Sequence, residues 1–550
     1  MKRLFLPMAI LFGLEAGAQL TIQTGATFYI DPGAVVTVQG NVESQANIQG
    51  TGKLLMKGTS AQQLSMNSNT VPNLEIDNTA NVTLGSPATI STTLGFVNGK
   101  LLLGAHDLTM ASGSNIANAG TGKFVETNGA GLLQMALTAV GSYTYPLGNG
   151  TRYTPLTLNL ANATLSSAKL GAKSTGEVHP AKHIRSSDHL NTYWSISRTG
   201  ITGGTVTATG TYVDAGSLVG TEAPIRSFKF ENAAWAAGTG NDATANTVSA
   251  SLTANQGDLY AMNNFALANV KVFLQGAFDG AVGLMRDRLR NSTGSYAPGA
   301  VPAGNLLPSS DPYRDAPYNG YFLHTANPVI ETATADAFKD KANSEENIVD
   351  WVFVELRNTN ATGNEILQTR SGFVLRNGNI VDVDGVSPLY FKDVGPGNYS
   401  IGVRHRNHLG LYTKPGTYNA ALGYSAASQI NMASGSFTAN LNGTAGSAYL
   451  VSGSNVMLWT GNVNGNFRVN YNGTTGPGVI NNNDRVILLT DLGASTFLTG
   501  YYRGDANMNR RVDYNGTTSP GFFGNNDRVV ILNFVLVNAS ASSKIEARPM

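Results

Sequence analysis

The segments Leu20-Thr-Ile22, Phe28-Tyr-Ile30, Val36-Thr-Val38, Leu54-Leu-Met56, Leu74-Glu-Ile76, Val82-Thr-Leu84, Leu101-Leu-Leu103 and Leu108-Thr-Met110 follow one another at intervals of roughly 8 to 20 residues. Gly, Asn, Ser and Thr fill the gaps. Alternation of apolar and polar residues turns one face of each short strand toward a core. Such spacing predicts a solenoid, a barrel or a sandwich. A solenoid fits best over 19–136, because the strands are short, alternate with period two and lack hairpin turns with long partners. Each rung then buries a few aliphatic residues against its neighbours, and stability comes only with the stack.

Downstream the pattern changes. Over 137–268 the strands lengthen, as in Tyr153-Thr-Pro-Leu-Thr-Leu158, Tyr193-Trp-Ser-Ile-Ser197 and Thr205-Val-Thr-Ala-Thr209, and predict an antiparallel β-sandwich. A further β-sandwich region is expected over 269–455, with a break near 335–345. A repeat unit follows over 456–540, then a tail at 541–550. Upstream, Lys2 and Arg3, the apolar run Leu4–Leu14 and Ala16-Gly17-Ala18 before Gln19 read as a signal peptide over 1–18. The run is too short to cross a bilayer of about 30 Å, and no transmembrane helix is expected elsewhere. A secreted or outer-surface location after cleavage is therefore expected.

At 550 residues the chain exceeds one core, and about three to five domains are expected. Charged residues make up 13%, and there are 63 glycines, a composition that disfavours long amphipathic helices. A net charge of +1 gives no reason to expect nucleic acid as a partner. The absence of Cys removes thiol catalysis, thiolate metal sites and disulfides.

The strongest internal signal is a duplication. Gly461-Asn-Val-Asn-Gly-Asn-Phe-Arg-Val-Asn470 aligns with Gly504-Asp-Ala-Asn-Met-Asn-Arg-Arg-Val-Asp513 at an offset of 43 residues, as from Asn462 to Asp505. The offset persists through Tyr471-Asn-Gly-Thr-Thr475 against Tyr514-Asn-Gly-Thr-Thr518, and through Asn483-Asp-Arg-Val486 against Asn526-Asp-Arg-Val529. Side-chain oxygens stand at alternate positions: Asn462, Asn464 and Asn466, then Asp505, Asn507 and Asn509, with Asn470 or Asp513 at the ninth. Calcium takes about six to eight oxygen ligands, and loops of this kind can wrap it. Asp484 and Asp527, each ahead of an apolar run, would close the loops.

These residues resemble a dockerin, an EF-hand-loop module of two calcium loops each closed by an Asp ahead of a helix. The resemblance covers 456–540 and implies calcium as the cofactor. The chain departs from the pattern in that the closing Asp stands 22 positions after the first ligand, at Asp484 after Asn462 and at Asp527 after Asp505. Each loop thus carries an insertion holding Asn-Gly-Thr-Thr. The first repeat has only one carboxylate and should bind more weakly. A cohesin-like partner is not expected, because nothing matches a family-specific contact pair. Elsewhere, Phe96-Val-Asn-Gly-Lys-Leu-Leu-Leu103, Tyr145-Pro-Leu-Gly148, Asp350-Trp-Val-Phe-Val-Glu-Leu-Arg357 and Val403-Arg-His-Arg-Asn-His-Leu409 resemble modules of haemagglutinin- or adhesin-like exported proteins of Bacteroidetes-type bacteria. That resemblance implies a surface location and a glycan or surface-protein partner.

Other clusters weigh less. His179, His183 and His189 fit no common metal spacing. His405 and His408 read as strand residues on opposite faces, and Asp382-Val-Asp384-Gly385 as a hairpin turn. Tyr313, Tyr318 and Tyr321 on a proline-rich loop are the candidate glycan contacts, against the alternative that their rings plug a sandwich end. No nucleophile elbow, zinc-protease motif or phosphate loop occurs, so no catalytic residue is assigned. The expected fold is mainly β: a β-solenoid-like region, β-sandwich domains and a small dockerin-like module. The expected function is structural or adhesive rather than enzymatic. The alternative is a polysaccharide-active enzyme, a lyase or glycoside hydrolase, or a carbohydrate-binding accessory protein.

Overall fold

The computed structural model describes residues 19–549 except 316, 320–329, 427, 474, 477–480 and 517–521. The proposed signal peptide and Tyr321 lie outside the described residues. Strands account for 47% of the described residues and helix for 6%, so the protein is mainly β. It divides into two units, Met1–Asn264 and Phe265–Met550.

The first unit opens with a parallel β-solenoid of about 6 turns. On one wall Val42 pairs in register with Leu64, and Leu64 with Leu84. On another, Val38, Met56, Ile76 and Phe96 stack rung on rung, beside Leu54, Leu74 and Leu94. All of these side chains are buried. Each contributes about 1.5–3 kcal/mol of burial, and only while the rungs on both sides persist. Polar residues complete the corners: Gln62 donates to the carbonyls of Val38 and Gly40 at 3.0 and 2.7 Å, and Asn78 donates to Gln62 at 2.8 Å. At the corner glycine Gly99, with φ +77°, a Cβ would sit 1.8 Å from the Asn78 carbonyl oxygen.

The solenoid ends where the pairing direction switches. Leu133–Leu137 lies parallel to Leu108–Met110 on one edge and antiparallel to Leu156–Thr175 on the other. Leu156–Thr175 pairs in turn along nearly its whole length with Tyr193–Thr211, and Thr247–Leu252 and Gln256–Asn263 extend this antiparallel sheet.

The second unit is built on antiparallel strands in the order Ile380–Val381, Ile366–Leu375, Ile348–Arg357, Gly397–His405 and His408–Tyr412. Ile348–Arg357 is buried at every position, Asp350, Glu355 and Arg357 included. Its charges are matched internally: Arg357 pairs with Glu355, and Arg406 reaches Asp350 at 3.0 Å. Residues 541–549, within the stretch read from sequence as a tail, are part of this packing. Ser543–Ile545 pairs with Arg468–Asn470, and Glu546 accepts from Tyr412 Oη and Gly410 N at 2.6 Å each. Among the described residues no helix is long and apolar enough to cross a membrane.

Candidate metal centre

In both repeats a strand leads to a helix through the inserted segment. The first runs from Arg468–Asn470 to the helix Asp484–Leu492, the second from Arg511–Asp513 to Asp527–Val529 with a π-helical continuation, Val530–Val535. Each helix starts in the same way. Asn483 accepts from Val486 N, and Asn526 from Val529 N, both at 3.0 Å, the usual N-cap bond. The equivalent tyrosines meet, Tyr471 Oη to Tyr514 Oη at 2.6 Å.

The inserted segments do not carry the closing acids away. Asp484 accepts from Asn464 N at 3.2 Å and Asn470 N at 2.8 Å. Asp527 accepts from Ala506 N at 2.7 Å and Asp513 N at 2.9 Å. Both carboxylates are buried inside their own loops. Around them the loop side chains hold the backbone: Asn464 donates to Asn482 O at 2.6 Å, and Asn507 to Asn525 O at 2.8 Å. Asn466 and Asn509 accept from the N–H of Arg468 and Arg511 at 2.7 and 2.9 Å.

Among the described residues, Asn462 Oδ1, Asn470 Oδ1 and Asn507 Oδ1 are buried without a hydrogen-bond partner. An unpartnered buried carbonyl costs about 1–3 kcal/mol, so an ion or a water at these three predicted ligand positions would be stabilising. The acids point the same way. Burial pushes the Asp484 carboxyl up to about 8 and Asp505 up to about 7. Burial and then the neighbouring Asp505 raise Asp527 well above the carboxylate range, and burial also raises Asp513. A cation would relieve each of these. Among the described residues no three His, Asp or Glu converge as a metal group, so any ion here would rest mainly on amide and carbonyl oxygens. Oxygen donors of this kind fit a hard cation such as calcium and not a soft one.

Sequence reasoning missed the seat of these loops. His405-Arg-Asn-His408 is a tight hairpin tip, and the two histidines pair across it instead of pointing to opposite faces. Their Nδ1 atoms are 2.9 Å apart, His405 Nε2 lies 3.1 Å from Asp350, and Gly276 N donates to His408 Nε2 at 3.0 Å. Asn407 O accepts from Gly461 N and Asn462 N at 2.9 and 3.1 Å, while its amide donates to Asp505 O at 2.7 Å. The readable signal was the short five-residue break between the apolar runs Tyr399–Val403 and Leu409–Tyr412, which is a hairpin pattern.

The other candidates are structural where they are described. Tyr313 and Tyr318 are only 0% and 6% exposed, and their hydroxyls donate to the carbonyls of Trp351 and Arg406. A ring without an exposed face cannot stack on a sugar, and both rings lie in the core of the second unit. His179 packs among Tyr193, Phe230, Trp235 and Tyr260 with Asp258 at 3.2 Å. Asp384 accepts from Val386 N and Ser387 N at 2.9 Å each in a turn, and Asp382 lies 3.5 Å from Arg370. Comparison with protein-family models, with curated proteins and with solved structures finds no match.

Proposed function

We propose that the chain is a secreted or cell-surface structural and adhesive protein, whose solenoid stalk and β-sandwich regions end in a dockerin-like repeat stabilised by calcium. The observation that carries this reading is the duplicated loop: in both copies a buried Asp accepts from the backbone of its own loop, and among the described residues side-chain oxygens at ligand positions are left unpartnered. Asn462, Asn464, Asn466, Asn470 and Asp484 would hold one ion, and Asp505, Asn507, Asn509, Asp513 and Asp527 the other. The ions would supply charge compensation and rigidity, with no catalytic step. Short parallel rungs stacked on aliphatic ladders suit a spacer, since such a stack extends without a new kind of core. The test is calcium titration of the full chain by calorimetry and thermal melting. The whole chain is needed because Asn407, outside the repeat, bonds to both loops.

A further inference from the structure

The first unit holds an open, polar cleft of ≈ 760 Å³ where the last solenoid rungs meet the antiparallel sheet. Its lining includes Arg152, Lys173, Tyr193, Glu126 and Glu177. Arg152 is half-buried, and its guanidinium donates to Asn149 Oδ1 at 2.9 Å, to Gly176 O at 3.1 Å and to Gly216 O. All three acceptors are formally neutral. Among the described residues neither Arg152 nor Lys173 has a carboxylate within ion-pair distance. Glu126 is already satisfied, by the Lys100 ammonium and by Gly150 N at 3.1 Å, and Glu177 is exposed to solvent.

The seat of Arg152 is built into the backbone. A Cβ at Gly176 would lie 2.6 Å from Arg152 Nη2 and 2.7 Å from Asn149 Oδ1, so the glycine lets the guanidinium sit where it does without displacement. On the same lining the Tyr193 ring is held edge-to-face on His179, with centroids 4.9 Å apart, and is only half-buried. Its hydroxyl has no hydrogen-bond partner among the described residues. Partly desolvated cations without an anion, beside a fixed aromatic ring and several hydroxyls and amides, match the chemistry of a charged sugar.

We propose that this cleft binds an anionic saccharide, carboxylated or sulfated, whose acidic group pairs with Arg152 and Lys173 while a sugar ring lies against Tyr193. The inference deepens the adhesive reading by naming a ligand class, and it concerns a surface separate from the calcium loops. Guanidinium and ammonium are both suited to an oxyanion, the guanidinium through paired donors in a plane.

The test is affinity electrophoresis and calorimetry of the full chain with a galacturonic acid oligomer, a sulfated glucan and neutral dextran. Retention is expected on at least one anionic polymer and not on dextran, and it should weaken with added salt. Lys173→Gln and Arg152→Ala should each weaken binding roughly tenfold, the usual worth of one charge-assisted hydrogen bond. Because Arg152 also ties down two carbonyls, Lys173→Gln and Tyr193→Ala provide readings that do not depend on its structural role. Equal retention by dextran, no binding of either anionic polymer at millimolar concentration, or unchanged binding in Lys173→Gln and Tyr193→Ala would overturn the proposal. A chelator should leave the retention intact. If it abolished retention, the calcium loops and not the cleft would be the capturing surface.

Discussion

Adding calcium to the metal-free protein should raise its melting temperature, with the second repeat filling first. The structure sets the scale. Loops built mainly from amide oxygens, with one carboxylate in the sequence of the first repeat and three in that of the second that do not gather into one acidic group, belong with weak extracellular sites of dissociation constant about 0.1–1 mM. At about 10 mM calcium, native-state binding then stabilises by about 1.4–2.7 kcal/mol per site. For a unit of this size that corresponds to roughly 3–10 °C per site. Calorimetry should report about two ions per chain. Asp527→Asn should abolish the tighter site and Asp484→Asn the weaker. Asp505→Asn should bring the second repeat down toward the first, since Asn462 stands at the matching position. These isosteric changes preserve the bonds from Ala506 N, Asp513 N, Asn464 N and Asn470 N only through the one remaining carbonyl oxygen, so circular dichroism must show each variant folded. An unchanged melting temperature together with no calcium uptake at about 10 mM would refute the reasoning and leave the duplication as a pair of hydrogen-bonded turns.

Three further outcomes can be checked. The exported chain should begin at or next to Gln19, read by N-terminal mass spectrometry of culture fluid or outer-surface fractions; an abundant species retaining Met1 would contradict this. Leu74→Ala should cost about 2–5 kcal/mol in denaturant unfolding, because Leu74 is buried between Leu54 and Leu94 and its neighbouring rungs cannot close over the gap. Burial holds His408 well below the ordinary histidine value of 6.5, and burial likewise lowers His405 despite Asp350 beside it. The unfolded chain therefore takes up protons on these histidines that the native state refuses, a contribution lost as pH drops through about 6.5, while the raised Asp484 and Asp505 act with the opposite sign over the same range. The check is the difference between the native chain and His408→Gln in urea melts at pH 5 to 8, which should shrink toward the acid end.

The parts legible from sequence are those whose partners are near in sequence or repeat at a fixed interval. A solenoid rung meets the next rung about twenty residues on, so a local period of two and a regular spacing suffice to reveal it. The offset of 43 between Asn462 and Asp505 worked in the same way. The parts missed depend on distant partners. Ile348–Arg357 looks like an ordinary apolar strand, yet its Asp350 and Glu355 are buried because Arg406 and Arg357 meet them in the fold. Tyr313 and Tyr318 look like a binding loop from their proline-rich neighbourhood, and only the position of Trp351 and Arg406 shows that they are core.

The same distinction bears on what calcium would do. In a free-standing module the loops would be ordered by their own helices, and an ion would stiffen only the module. Here the Asn407 carbonyl accepts from the first loop, its side-chain amide donates to the second, and the adjoining Arg406 reaches Asp350 in the central strand. The second loop is fastened elsewhere as well, through Arg510 to the carbonyls of Arg288 and Gly304 at 2.9 and 2.7 Å, and through Tyr501 Oη to Asp350 at 2.7 Å. A loop that must adopt one backbone path to hold an ion also fixes the carbonyl of Asp505, and with it the Asn407 turn. Coupling of this kind makes local ion binding stabilise every group that shares the same cooperative unit. The calcium shift should therefore appear in the melting of the whole second unit, as a single transition, instead of in a separate early step belonging to the repeat.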